Sequence, residues 1–429
     1  VLMLLGYMMV LTFMVLIMTR RLTALVALIL IPMLFGVLAG HGADLGKMAV
    51  DGIAQLAPTA TLLLFAVLYF ALMIDAGLFD PLVNRVLRFA GEDPVRVALG
   101  TAIVALIVAL DGDGATTALI TITAFLPVYR RLGMNPLVLA VILGSANTVM
   151  NLAPWGGPAG RAAAALHVDP ADVFVPLLPT IAAGILGTLG IAWHLGRRER
   201  GRIARGTDPI EADESILSFT RDMTLARPRL IWLNLALTLA TLGIAIARLV
   251  PLPLAFMIGF AVAMLLNYPS PRLQGERLKA HAENALPIVV LILAAGSFTG
   301  IMAGTGMIDA MAKGAMTAVP PAMGPQLGVV TAFLGIPLTF VLSNDAYYFG
   351  VIPIIAQTAA QYGVEPAVIA RASLLSLPTH GLSPLVAAVY LTAGLLGCDV
   401  GAMQRFGLKW ALLLTLILIA AATLTGVIL

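Results

Sequence analysis

Residues 105–131 read "ALIVALDGDGATTALITITAFLPVYRR", with Asp111, Gly112, Asp113 and Gly114 set between two apolar runs. A carboxylate held in hydrocarbon without a partner is costly, so this tip needs an explanation. The rest of the chain makes it stand out further. Of 429 residues, 60% are hydrophobic and 11% charged, with a mean hydropathy of +1.00. A water-soluble protein of this size needs far more charge to cover its surface. Runs such as "LTALVALILIPMLFGVLAG" (22–40) and "FGLKWALLLTLILIAAATLTGVIL" (406–429) recur throughout. The composition therefore predicts an all-α polytopic membrane protein and excludes a water-soluble enzyme.

Full spans are expected at about 2–18, 22–40, 52–79, 136–166, 172–195, 229–248, 250–267, 284–310, 365–396 and 402–428. Segment 1–18 lacks the basic start and small-residue cleavage site of a signal peptide and reads as a span. Segments 95–128 and 325–360 are apolar but interrupted centrally by polar tips. Their arms of about 15 residues are short for a crossing, so both read as re-entrant hairpins. Of the 25 basic residues, 20 then fall on one side, including Arg20, Arg21, Arg130, Arg131 and eight arginines between 197 and 229. That side is expected to be cytoplasmic, in a bacterial inner membrane, with both termini outside. One cysteine, Cys398, excludes an internal disulfide.

The two halves repeat. "DAGLFD" (75–80) ends a long helix in the first, and "GTGMID" (304–309) ends one in the second. Gly77 and Asp80 recur as Gly306 and Asp309, and Pro136 recurs as Pro366. Five crossings per half force the second copy to enter from the opposite face, an inverted-topology repeat. The expected division is a first repeat over 1–195, a cytoplasmic linker over 196–228 and a second repeat over 229–429. The first holds scaffold helices 2–90, hairpin 95–128, broken helix 136–166 and helix 172–195. The second holds scaffold helices 229–310, hairpin 325–360, broken helix 365–396 and helix 402–428.

Four polar interruptions carry the chemistry: "DGDGATT" (111–117), "NTVMNLAPWGGP" (147–158), "SNDAYY" (343–348) and "SLPTHGLSP" (376–384). Irregular backbone survives in a bilayer only inside protein or beside a water-filled cavity. The pseudo-symmetry predicts that the four breaks converge near the midplane, with positive helix N-termini facing a small anion. The carboxylates suit a cation beside it.

Asp113 either caps the following helix or holds a cation, and can do both. A carboxylate so engaged has little reason to take a proton, which leaves Asp111 as the freer proton carrier. Asp345 duplicates the carboxylate on the second tip, beside Ser343 and Asn344, which are also good caps. Asn147 and Asn151 flank the first break, either contacting ligand or satisfying exposed backbone; Gly156 and Gly157, with Pro158, are what such a break requires, and are counted with the substrate-binding residues. His380 either exchanges protons or ties down the break at Pro378. Thr379 and Ser383 offer hydroxyls to substrate carboxylates. Arg161 and Arg371 are the basic residues within spans. Each either grips a carboxylate or snorkels outward, and Arg161, three residues past Pro158, is the better placed. Asp75, Asp80 and Asp309 read as scaffold-helix ends. Tyr347 and Tyr348 either gate the second tip or pack. "GDGA" is not a nucleotide loop, since no strand precedes it and no lysine follows.

The order of hairpin, broken helix and single span, in two inverted copies, resembles the ion transporter superfamily. Within it, "LDGDGATTALITITAFLPVYRRLGMNPLVLA", "ANTVMNLAPWGGPAGRAA", "LSNDAYYFGVIPIIAQTAAQYG" and "LPTHGLSPLVAAVYLT" resemble the citrate–divalent metal:proton symporter family (CitMHS). The resemblance implies proton-driven symport of citrate complexed with Mg²⁺ or Ca²⁺. It also implies an elevator motion against a scaffold that forms a homodimer. The metal is then co-substrate, no prosthetic group is expected, and nucleic acid is not a partner. On that view Asp113 and Asp345 meet the metal, and Asp111 and His380 serve proton coupling. Competing readings are a free di- or hydroxy-carboxylate coupled to Na⁺ or H⁺, and a cation/proton antiporter. A channel fits the paired hairpins poorly, and the chain has no His-Glu-x-x-His or nucleophile–base pattern of a membrane enzyme.

Overall fold

The computed structural model describes residues 1–205, 224–316 and 320–429, and among these every regular element is helical. The first half runs α1 (Leu2–Met18), α2 (Ala24–Leu38), α3 (Leu45–Asp75), α4 (Asp80–Ala90), α5 (Pro94–Val108), α6 (Gly114–Arg131), α7 (Pro136–Met150), α8 (Gly157–Leu166) and α9 (Pro170–Ala204). The second runs α10 (Ile231–Ile246), α11 (Leu252–Asn267), α12 (Pro271–Gly304), α13 (Met307–Met316), α14 (Leu327–Val341), α15 (Ile352–Ala360), α16 (Pro366–Leu374), α17 (Leu377–His380), α18 (Ala387–Leu396) and α19 (Val400–Leu424). Apart from the short α17, which has no counterpart in the first half, the helices of the halves correspond in order, and so do their turns. Positive φ recurs at an offset of 228 to 230 at Arg20 and Arg248, Gly77 and Gly306, Gly133 and Gly363, and His167 and Gly397. A left-handed turn is disfavoured for a residue with a Cβ. At Arg20, Arg248 and His167 it is held by local helix-closing bonds, Arg21 N to Leu16 O, Leu249 N to Ile244 O and Val168 N to Ala163 O.

Helices α3 and α12 form the centre and run antiparallel. Met48 lies against Gly300 and Gly304, and Gly52 against Gly296. A Cβ on Gly52 would overlap the Gly296 carbonyl and stand 2.8 Å from Gly300 Cα. Small residues here let the backbones touch, the usual route to close helix crossing in a membrane. Helix α2 packs on α12, and α11 packs on α3. Helices α10 and α11 are joined by a reciprocal amide pair. Asn234 Nδ2 donates to Asn267 Oδ1 at 2.8 Å, and Asn267 Nδ2 donates to Asn234 Oδ1 at 2.9 Å. Both side chains are fully buried. Asn267→Ala is expected to cost about 1 kcal/mol by stranding Asn234. Thermal unfolding in detergent should show the loss, and the Asn234→Ala/Asn267→Ala double variant should fall little further.

Two expectations are revised. Helix α12 starts at Pro271 rather than 284, and α3 at Leu45 rather than 52. The α12 extension is charged, so hydropathy misses it, but Arg277 and His281 are held by Asp75, with His281 Nε2 2.7 Å from Asp75 Oδ2. Helices α4 and α13, which follow the two repeated motifs, are also additional. In α4, Val83, Val86 and Leu87 turn to the core while Arg85 and Arg88 face out, the pattern of a helix lying at the interface. Of the linker expected over 196–228, residues 206–223 lie outside the described residues. Its ends are structured: α9 continues to Ala204, and Arg227 N donates to Ala76 O at 2.8 Å.

Both hairpins return to the side they enter from. Hairpin one, α5 with α6, has both feet at the C-terminal end of α9. Arg200 bonds Asp93 at the start of α5, and Asn135 N, just past α6, donates to Glu199 at 2.8 Å. The Arg200 guanidinium holds the Asp93 carboxyl below the usual carboxylate range. Hairpin two, α14 with α15, stands at the other end. Gly328 lies against the Ile428 carbonyl, and Gln357 Nε2 donates to Asp309 at 2.6 Å. With its terminal 3₁₀ turn the first arm reaches 18 residues, enough to cross by length alone. The chain nevertheless reverses at the polar tip.

Candidate substrate site

At tip one, Gly112 takes φ +75°, turning the chain between α5 and α6. Asp113 then caps α6. Its Oδ1 accepts from Ala115 N at 3.1 Å, and its Oδ2 accepts from Thr116 N at 3.0 Å and from the Thr116 hydroxyl at 2.5 Å. Asp111 is 5% exposed, and its Oδ1 accepts from Asp113 N at 2.8 Å. The tip is pinned by Trp155, whose Nε1–H donates to Leu110 O at 2.7 Å. That indole sits among Phe70, Phe174 and Phe256, with centroids 5.0 to 5.9 Å away. Sequence reading passed over Trp155. Its one signal was a tryptophan set beside Gly156-Gly157 inside a break.

The break between α7 and α8 lies directly against this tip. A Cβ on Gly114 would stand 3.0 Å from Asn147 Nδ2 and 3.5 Å from Ala388 Cβ of α18. Asn151 Nδ2 donates to Asn147 O at 2.9 Å. Gly156 is the N-cap of α8 and brings no side-chain cap, Pro158 in the first turn has no N–H to satisfy, and Gly157 stands within reach of Arg161. Arg161, one turn further on, points to tip two. Its Nε–H donates to Asp345 Oδ1 at 2.7 Å, and its Nη1 donates to Gly157 O at 3.1 Å. It also lines a cleft of about 480 Å³ with Leu25 of α2 and Leu286, Pro287 and Leu291 of α12.

Tip two differs from tip one. The cap is Ser343, whose Oγ accepts from Ala346 N at 3.3 Å, while Asp345 makes no capping bond. The chain continues through a π-helical turn, Ala346–Val351, the wide geometry often found at functional sites. Asn344 is half-buried beside it. The second break packs on α14. His380 Nδ1 is 2.6 Å from Thr339 O. A carbonyl only accepts, so Nδ1 carries the proton and neutral His380 presents a lone pair at Nε2, which is buried without a partner. The Tyr348 hydroxyl is buried and unpartnered as well. Ser383 Oγ donates to Phe340 O at 2.7 Å, and Thr379 Oγ1 donates to Ser376 O at 2.7 Å, so both hydroxyls are committed to backbone.

The four interruptions meet. Tip one touches the first break and α18, Arg161 bridges to tip two, the second break rests on α14, and a Cβ on Gly381 would strike Thr148 of α7 at 2.6 Å. Two helix starts, those of α8 and α18, have no side-chain cap, whereas Asp113 and Ser343 fill the other two. The expectation of four free helix starts is therefore corrected: side chains cap two of them, because these residues occupy N-cap positions. Arg371 is placed away from the site. It donates to Val427 O at 2.7 Å and Asp172 O at 2.9 Å, tying α16 to the ends of α19 and α9. Among the described residues no cluster of three or more His, Cys, Asp or Glu side chains is arranged to hold a metal.

Comparison with known proteins agrees with this architecture. In fold the chain is similar to the YdaH transporter of Alcanivorax borkumensis, with a TM-score of 0.58 and 16% identity over 90% of this chain and 88% of that one. It is similar also to MtrF of Neisseria gonorrhoeae, with a TM-score of 0.62 and 14% identity over 89% and 84%. In sequence it is 49% identical to a citrate transporter of Bacillus subtilis over 99% of both chains. It is 44% identical to a Mg²⁺/citrate complex secondary transporter of the same organism, over 99% of this chain and 98% of that one. These relatives are transporters, not enzymes. Residues 7–376 match the citrate transporter family CitMHS, and the chain belongs to that family.

Proposed function

We propose that this protein is a secondary transporter that carries citrate as a complex with a divalent metal, Mg²⁺ or Ca²⁺, in symport with protons. The observation that carries the reading is Arg161, a guanidinium one turn into α8, after the first break, that faces the carboxylate of tip two. An arginine and the positive end of a helix favour an anion; Asp345 and Asp113 favour a cation beside it. Citrate chelated to a metal offers both. The metal also offsets part of citrate's charge before it leaves water, and citrate oxygens supply the ligands that the protein's few acids do not. The curated relative named for the Mg²⁺/citrate complex supports this choice over free citrate.

In the mechanism, Arg161, with the positive end of α8 behind it, orients a citrate carboxylate, and Asp345 meets the metal. Asn147, Asn151 and Asn344 line the same region. His380, with its free Nε2, and Asp111, with a single backbone donor, are placed to carry protons. The hairpins and broken helices form the moving part, and α3 with α12 the fixed part, in an elevator motion. The cleft between Arg161 and the α2–α12 face lies at that boundary. The working form is a homodimer in a bacterial inner membrane, with both termini outside and the division into repeats given above.

Labelled citrate uptake into liposomes, under an inward proton gradient, tests the reading. Uptake is expected to require both the gradient and added Mg²⁺ or Ca²⁺, and to stop in EDTA. Metal-independent uptake would move the substrate to a free carboxylate. Cation/proton exchange without citrate uptake would make the protein an antiporter.

A further inference from the structure

Each tip carries an aspartate, but the two are used differently: Ser343, 230 residues on, takes the capping place of Asp113, and Asp345 lies two residues further along. Asp113 spends both oxygens on capping α6. Asp345 makes no capping bond, because Ser343 does that work, and it is engaged instead by Arg161. The engagement is partial. Asp345 Oδ1 meets Arg161 Nε alone, whereas a carboxylate on a guanidinium edge commonly takes two parallel bonds. The side chains are 17% and 20% exposed, enough burial to make the pair matter and enough opening for another carboxylate to reach it.

We propose that the Arg161–Asp345 ion pair is a place-holder for the substrate. One citrate carboxylate takes the position of Asp345 on Arg161, and the released Asp345 takes the metal that arrives with that citrate. This rests on the metal–citrate reading above and adds the reason for co-selectivity. Free citrate that displaced Asp345 would leave two anionic groups side by side in a half-buried site, which is unfavourable at low effective dielectric. Metal alone meets an Asp345 already neutralised, with a guanidinium at its approach. Only the two together replace one ion pair by two. Asp345 is thus the residue that makes the carrier reject bare citrate, a device of exclusion as much as of attraction.

Binding to the purified full-length protein in detergent tests this, by calorimetry or thermal shift, with citrate in EDTA, Mg²⁺ alone, and both. The wild type is expected to respond only to both. Asp345→Asn leaves Arg161 unpaired and should bind citrate in EDTA. Its ratio of affinities with and without metal should fall at least about tenfold. Arg161→Gln frees Asp345, so Mg²⁺ alone should now bind while citrate in EDTA does not. A metal-requiring wild type whose Asp345→Asn variant keeps the same ratio would overturn the place-holder alone. Should Asp345→Asn fail to fold, the decision passes to Arg161→Gln, where no response to Mg²⁺ overturns it. A wild type that binds citrate equally with and without metal overturns the transport reading and the place-holder together.

Discussion

Gly52→Leu is expected to prevent accumulation of folded protein. Helices α3 and α12 cross with backbone in contact at this point, so any Cβ meets the Gly296 carbonyl before a longer side chain is considered. Relief requires the two central helices to separate, and each of them also supports a neighbour, α11 or α2. Overpacking of a close-packed interior commonly costs about 1–3 kcal/mol, and here no flexible side chain can yield, so the cost should exceed that range. Size-exclusion profiles of the detergent extract should lose the monodisperse peak. Gly243→Ala provides the control. It lies within α10 with nothing near its missing Cβ, and its profile should match the wild type.

The second large effect is on transport and not on folding. Asp113→Asn keeps an oxygen to accept from the α6 amides, so the unfolding temperature should move little. It removes a negative charge from the site. If Asp113 meets the metal, metal-dependent uptake should fall by about 30-fold or more, the worth of one charge-assisted contact of about 2 kcal/mol. Uptake at the normal rate would reduce Asp113 to a helix cap and leave Asp345 as the tip carboxylate that serves the cation. The three bonds that Asp113 makes within its own tip show that the cap alone would account for its presence. The measurement is therefore needed to separate the two roles.

What could be read in the sequence was local or periodic. Membrane burial writes itself as long apolar runs, and a break in hydrocarbon must carry Gly, Pro and polar residues. The hairpins at 111–117 and 343–348 were therefore legible, as was the repeat through Gly77 and Gly306. The capping of α6 by Asp113 was legible for the same reason, since donor and acceptor lie within three residues. The pairing of Arg161 with Asp345 was not. It joins residues 184 positions apart, and the sequence offered each of them a separate role. Trp155 was hidden likewise, because its bond to Leu110 O spans 45 residues and uses a backbone atom that has no side-chain signature. The α12 extension was missed because it is charged, and two of its side chains, Arg277 and His281, are held by Asp75 in the other half of the chain.

The cargo is expected to sit where the two tips and the two breaks meet. The most direct measurement is a crystal structure with citrate and Mn²⁺, located by the metal's anomalous scattering. The predicted result is one peak at the second tip, about 2.0–2.6 Å from an Asp345 oxygen, with citrate completing its ligands and a citrate carboxylate on Arg161. A peak away from both tips, with the Arg161–Asp345 pair intact and citrate absent from Arg161, would contradict it.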